Sequence, residues 1–437
     1  MTKLVQTTES PAIGGAFAAI WAKCTHPAAG RSFALMVDQG IASGTNFLTT
    51  LVIGRACLPE ELGMYVLGFS LMVMSLRIPK ALIWTPYVSF TPSMTDEERR
   101  QYSGSALFHL VLFAVVLAGL VSAVGVGLIP KGETGGLGRV LVVLGPAIAL
   151  MLLREHARRV CFARLRTGDA LLIDLVVAVL QTTGMLLLAY SGTLTAARAY
   201  VVIALASAPT VAVWIVANRD FLKFRRHRAI PDLAKNWRFA RWLLASAILV
   251  GLIAMMEPWA LSLMHGTVAA GVFAAALSII SLINPLVMGF QNFFGPQAAH
   301  VVAKEGLPGL HRVVIRSTLV IVGIAATFLL GVAIWSEDLL VFLYGAKYAG
   351  QGGVVTALVL PTMVEVVMLP TAAGFVALSR GDIMLKSHLI QLVLALTVGL
   401  WCIYQFGPAG VGYGASVSYS GAGLWSWFAL QNLVKNA

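Results

Sequence analysis

The sequence predicts an all-α polytopic membrane protein: about 12 transmembrane helices in two pseudo-symmetric six-helix lobes around a central cavity. Three observations carry this. Hydrophobic residues fill 58% of the 437 positions and Asp, Glu, Lys and Arg only 11%, with a mean hydropathy of +0.84. Soluble domains carry roughly a quarter charged residues, and one or two cores could not hide this much apolar surface. The apolar runs are near-continuous over the ~20 residues that cross a bilayer as a helix, without the alternation of a membrane β-barrel. Lys and Arg are sharply sided along the chain. Together these exclude a cytosolic enzyme and a disordered chain. They also exclude a nucleic-acid module, so the net charge of +12 is read as a topology signal and no nucleic acid is expected as partner.

In order, the spans are 33–53, 62–90, 105–128, 137–153, 170–190, 196–216, 241–264, 269–291, 313–335, 352–378, 385–405 and 409–431. Turn signals separate most of them: Leu58-Pro59-Glu60, Pro130-Lys131-Gly132, Ser191-Gly192, Arg380-Gly381-Asp382 and Gly407-Pro408. With the N-terminus inside, 24 of the 31 Lys and Arg fall in the tails and inner loops and five in outer loops, Arg55, Lys131, Arg139, Arg198 and Lys347. Arg77 and Lys80 remain, inside the second span. This asymmetry supports an even number of spans with both termini cytoplasmic. The expected organisation is a cytoplasmic tail 1–32, an N-lobe 33–216, a cytoplasmic basic linker 217–240, a C-lobe 241–431 and a cytoplasmic tail 432–437. No cleavable signal is expected, since the first strong apolar run starts near Phe33. The four cysteines, Cys24, Cys57, Cys161 and Cys402, lie far apart and suggest neither disulfides nor a metal site. No cofactor is expected.

The halves show a faint repeat at an offset of 208 residues. Leu62-Gly63-Met64-Tyr65 aligns with Ala270-Gly271-Val272-Phe273, and Phe69-Ser70 with Leu277-Ser278. With six spans each, both halves share one orientation, so an axis along the membrane normal relates them and a cavity between them can open to either side.

A charge at mid-bilayer costs about 2.5–3.5 kcal/mol on insertion scales, so each one asks for a reason. Arg77 and Lys80, three apart around Pro79, share a helix face with Trp84. They are either a cationic cavity wall for a phosphate group or snorkelling side chains. Asp38, followed by Asn46, either pairs with Arg77 across helices or lies at the interface. Asp174 is read as interfacial. Glu257, before Pro258, and Glu365, between Pro361 and Pro370, are candidates for ion coupling or gating, through H+ or Na+, beside proline-freed carbonyls. The amides Asn284, Gln291, Asn292 and Gln297 are candidates for lining the lumen, and Gln181 for bonding a neighbouring helix.

No GxSxG, HExxH or P-loop occurs, and no outer loop exceeds about 16 residues on these boundaries. Both facts speak against a membrane glycosyltransferase or ligase of polysaccharide assembly, and the chain is not expected to be an enzyme. The stretch Asp38-Gln39-Gly40-Ile41-Ala42-Ser43-Gly44-Thr45-Asn46-Phe47-Leu48, followed by Leu58-Pro59-Glu60-Glu61-Leu62-Gly63-Met64-Tyr65, resembles the opening of the polysaccharide transporter family. That family belongs to the superfamily of multidrug, oligosaccharidyl-lipid and polysaccharide exporters. Cys57-Leu58 departs from the Leu-Gly pair common there. The resemblance implies an O-antigen type flippase of a bacterial inner membrane, working by alternating access in surface polysaccharide biosynthesis. It would carry an undecaprenyl-diphosphate-linked oligosaccharide from the cytoplasmic to the outer leaflet, alongside polymerase machinery, and its cationic lumen would meet the diphosphate. Arg77 and Lys80 match that lumen in character. The rival within the superfamily, a cation-coupled multidrug exporter, would favour an acidic, aromatic lumen.

Overall fold

The computed structural model describes residues 27–129, 136–378 and 380–435. Among them the chain is almost entirely helical, with no strand. Inside hydrocarbon a spanning segment must satisfy its own backbone, and a helix does so within one segment. The N-terminal half holds α1 Pro27–Ala56, α2 Pro59–Ser93, α3 Asp96–Gly127, α4 Leu137–Ala163, α5 Thr167–Tyr190 and α6 Ala196–Ala217. Past Arg226 the helices follow one another almost without loops. Glycines at positive φ mark the breaks: Gly266 at 83°, Gly306 at 65° and Gly407 at 56°. That left-handed backbone is open to glycine and strained for other residues, so one residue suffices to reverse the chain. The breaks define α7 (226–265), α8 (267–305) and α9 (307–334), then α10 Gly352–Ala377, α11 (381–406) and α12 (408–435). A short helix, Ser336–Tyr344, lies between α9 and α10.

Among the described residues there are twelve long helices, all but α1 within runs long and apolar enough to cross a membrane; they agree with the expected membrane fold, with several ends corrected, two of which bear on the site. The fourth span was expected to stop at residue 153, and α4 continues to Ala163. The seventh was expected to start at 241 after a loop, and α7 already begins at Arg226. Both errors have one cause. A hydropathy reading ends a span at its first charges, whereas a helix pays nothing in backbone hydrogen bonding to carry charged residues onward.

Within the first half α3 packs on α4, α4 on α6 and α1 on α5; in the second half α9 packs on α10, α10 on α12 and α11 on α12. The halves meet chiefly where α2 runs beside α7 and α8. At the end remote from most Lys and Arg, here called the far end, α2 and α8 touch backbone to backbone. A Cβ placed on Gly63 would strike the Thr267 carbonyl, and one on Gly271 would strike the Pro59 carbonyl. Each would also lie 3.1 Å from the other glycine's amide nitrogen. Pro59 and Thr267, like Gly63 and Gly271, are 208 positions apart. The repeat offset read in the sequence is thus the offset across a pseudo-twofold seam. Gly63→Leu and Gly271→Leu are expected to lower the thermal midpoint of the detergent-solubilised protein, since overpacking costs about 1–3 kcal/mol. Gly119→Leu, where a side chain meets open space, is expected to leave the midpoint unchanged.

Candidate functional site

The site is built on α2. This helix runs unbroken through Phe90 to Ser93, so Arg77 sits near its middle rather than at an end. Pro79 cannot donate to the ladder, and directly after it Lys80–Trp84 forms a π turn, with Thr85 Oγ1 donating to the Lys80 carbonyl at 2.7 Å. The wider turn rotates everything below it by up to one residue, about 100°. Arg77 therefore no longer shares a face with Trp84, which corrects the lumen assignment of Trp84. Its indole is buried in the N-lobe and donates to His156 Nδ1 at 3.2 Å.

Arg77 lies against the backbone of Gly251 on α7. A Cβ there would fall 2.7 Å from Arg77 Cδ and 3.3 Å from its Nε, so the glycine makes room for the side chain. Arg77 Nε is buried with no hydrogen-bond partner. Arg77 thus projects from the N-lobe towards the C-lobe. Lys80 is exposed. Among the described residues no ion pair neutralises Arg77 or Lys80.

Asp38 does pair across helices, though with Arg158 and not with Arg77. Arg158 Nη2 lies 2.6 Å from Asp38 Oδ2, and Arg158 Nε lies 2.6 Å from Asp174 Oδ2. Glu155, on the same helix as Arg158, bonds Arg158 and takes Arg159 Nε at 2.7 Å. Asp174 is therefore not interfacial but part of a buried network joining α1, α4 and α5. A fourth span ending at 153 would leave Arg154, Arg158 and Arg159 in a loop. The extra ten residues of α4 carry them inside, and Arg154 lines a small chamber with Thr45, Asn46, Asp174 and Gln181. A sequence signal did exist. No Gly or Pro interrupts the chain between Pro146 and Gly168, and Arg154, Glu155, Arg158 and Arg159 recur at helical spacing. Arg159 also extends over the Trp84 ring, its guanidinium carbon 5.9 Å from the centroid. It thereby joins Lys80 at the α2–α4 seam.

Two amides singled out from the sequence, Asn46 and Asn284, come together. They line a cavity of about 350 Å3 between the lobes with Ser43, Thr50, Ser278 and Ser281. Gln291 is exposed further along α8 and lines neither this cavity nor the small chamber. Gln181 donates to Thr49 Oγ1 at 2.9 Å, a bond between α5 and α1. Glu257 and Glu365 approach one residue of the C-lobe, as Tyr419 lines a small pocket with Glu257 and a larger cavity with Glu365. Glu365 lines a second cavity of about 250 Å3 with His388, Gln391 and Tyr419. His388 Nδ1 is 2.9 Å from Ser246 Oγ.

No protein-family model matches this sequence, and no curated protein does. Solved structures do share its shape. The chain superposes on an inward-facing multidrug resistance MATE family transporter of the MOP superfamily with a TM-score of 0.73. The identity is 14%, and 90% of this chain and 95% of that one are covered. An outward-facing MATE transporter gives 0.62 at 14% identity, covering 92% and 95%. The lipid II flippase MurJ, inward closed, gives 0.68 at 12% identity, covering 92% and 87%. At such identities the likeness defines a fold: this is a polytopic helical protein with the architecture of MOP superfamily transporters.

Proposed function

We propose that the protein is a flippase for a polyprenyl-diphosphate-linked oligosaccharide, moving it from the cytoplasmic to the outer leaflet of a bacterial inner membrane. The observation that carries this is the un-neutralised pair Arg77 and Lys80 in mid-span. Evolution can remove a costly unpaired charge by one substitution, so its presence calls for an anion that visits. The neighbouring residues set the amount of charge. Along the N-lobe wall Arg77, Lys80, Arg154, Arg158 and Arg159 outnumber Asp38, Glu155 and Asp174 by two positive charges. A diphosphate diester carries one negative charge per phosphate and matches them. Arginine can grip phosphate oxygens with two parallel bonds, and lysine adds a point charge. The hydroxyls and amides around Asn46 and Asn284 suit a sugar better than a greasy drug cation.

The charge balance also offers a drive. The loaded wall is neutral, and the empty wall carries two positive charges. An inside-negative potential draws the empty carrier back, with about 2.3 kcal/mol for each charge that crosses 100 mV. Glu257 and Glu365, each beside Tyr419, are the groups proposed to couple H+ or Na+ binding to the cation wall. The closed far end and the better superposition on an inward-facing transporter support a resting state that receives cargo from the cytoplasm.

Reconstitution in liposomes tests this reading. Undecaprenyl-diphosphate oligosaccharide should become accessible to an enzyme on the opposite face, faster with an imposed potential. Transport of a cationic dye with no movement of the diphosphate lipid would favour the multidrug exporter instead. A glycosyltransferase would reveal itself by changing the glycan.

A further inference from the structure

The far end is closed by more than the glycine seam, and two of the five cations expected on that side take part. Arg55 ends α1, in the N-lobe. Its Nη1 donates across the lobe boundary to the carbonyls of Phe342 at 2.8 Å and Leu343 at 3.1 Å. These carbonyls belong to the last turn of the short helix Ser336–Tyr344, where no later amide of the helix is available to donate to them. Lys347, just past that helix, reaches back the other way. Its Nζ donates to the Arg55 carbonyl at 3.1 Å and to the Cys57 carbonyl, at the end of α1. Each lobe therefore supplies a cation to the exposed carbonyl end of a helix in the other lobe, the end where the helix dipole favours positive charge. The parts are held ready. Glu337 accepts from the amides of Gly350 at 2.5 Å and Gly352 at 2.7 Å, fixing the loop that carries Lys347. Tyr344 is fully buried, lies where a Cβ on Gly54 would go, and hydrogen-bonds Ser278 on α8.

We infer that Arg55 and Lys347 form a reciprocal helix-capping latch that holds the far side of the transporter shut. Neither Arg55 nor Lys347 lines the interlobe cavity, so the inference holds whatever the cargo is. When the lobes part at the far end, both caps break together and four carbonyls pass to water. Among the described residues neither cation has a carboxylate partner, so the latch is not a salt bridge. Its strength lies in charge-assisted bonds to carbonyls that the helices themselves leave unpaired.

The test uses the full chain in spheroplasts, with Asn46→Cys as a reporter inside the interlobe cavity and a membrane-impermeant thiol reagent outside. Labelling is read against the parent chain without the reporter. Arg55→Met and Lys347→Met are each expected to raise the labelling rate about tenfold, the effect of losing one charge-assisted contact in a two-state gate. Glu337→Gln, which frees the loop but keeps both cations, should raise it as well, and Arg55→Lys should stay near the unmodified rate. A rate unchanged in both methionine variants and in Glu337→Gln, with normal amounts of protein in the membrane, overturns the latch. Should one methionine variant fail to reach the membrane, the other and Glu337→Gln still separate a latch from its absence.

Discussion

Arg77→Ala is expected to stop diphosphate-lipid flipping while leaving the folded protein as stable as before or more so. The two halves of that expectation come from one fact, the missing partner. A half-buried guanidinium whose Nε bonds nothing contributes desolvation cost to the resting fold and no compensating ion pair. Its removal relieves that cost. In the loaded state the same group would hold phosphate through charge-assisted bonds, each worth about 1.5–3 kcal/mol, so the loss of cargo affinity is expected at about 10- to 100-fold. Lys80→Ala should act in the same direction more weakly, and the double variant should be inactive. The checks are a thermal melt in detergent beside the liposome flipping rate. A protein that melts early and flips normally would assign Arg77 to the scaffold.

Arg158→Ala is expected to do the opposite, because this arginine is held in ion pairs. It sits among Asp38, Glu155 and Asp174 from three helices. Removing it leaves three carboxylates facing one another in a buried site, with Arg154 and Arg159 as the remaining cations. Breaking such a network from one side costs about 3–5 kcal/mol, and the N-lobe helices α1, α4 and α5 should lose their fixed packing. Expression and thermal midpoint should both fall. Combining Arg158→Met with Asp38→Asn and Asp174→Asn should recover much of the loss, since that change removes charges of both signs together. A single Arg158→Ala protein with an unaltered midpoint would show that the network contributes nothing to the fold.

The contrast between these two arginines also shows where the sequence was legible. Arg77 could be found by eye, as an arginine within an apolar run with nothing of opposite sign nearby. Arg158 could not be placed, because it follows the point where mean hydropathy falls and so reads as loop. Its partners lie far off: Asp38 is 120 residues upstream, and no local spacing joins α1 to α4. The same limit misassigned Trp84, since helical spacing counts 3.6 residues per turn and the π turn after Pro79 breaks that count. The helix number and the 208-residue repeat were visible because they depend only on apolar length and on glycines that a close backbone approach requires. Gly251 was not visible, because its role is to vacate space for a side chain on another helix. The shared cavity of Asn46 and Asn284, and the placing of Tyr419 beside both Glu257 and Glu365, likewise belong to tertiary packing. The sequence offered Asn46, Asn284, Glu257 and Glu365 singly as candidates, and Tyr419 not at all.

The most direct test of the central claim is a cryo-EM structure of the full chain in nanodiscs with undecaprenyl diphosphate bound. The account predicts density for the two phosphates within hydrogen-bond distance of Arg77 and Lys80, beside Arg159, with the polyprenyl chain leaving between the lobes. Phosphates bound elsewhere, with the Arg77 and Lys80 head groups turned out among lipid headgroups, would contradict it.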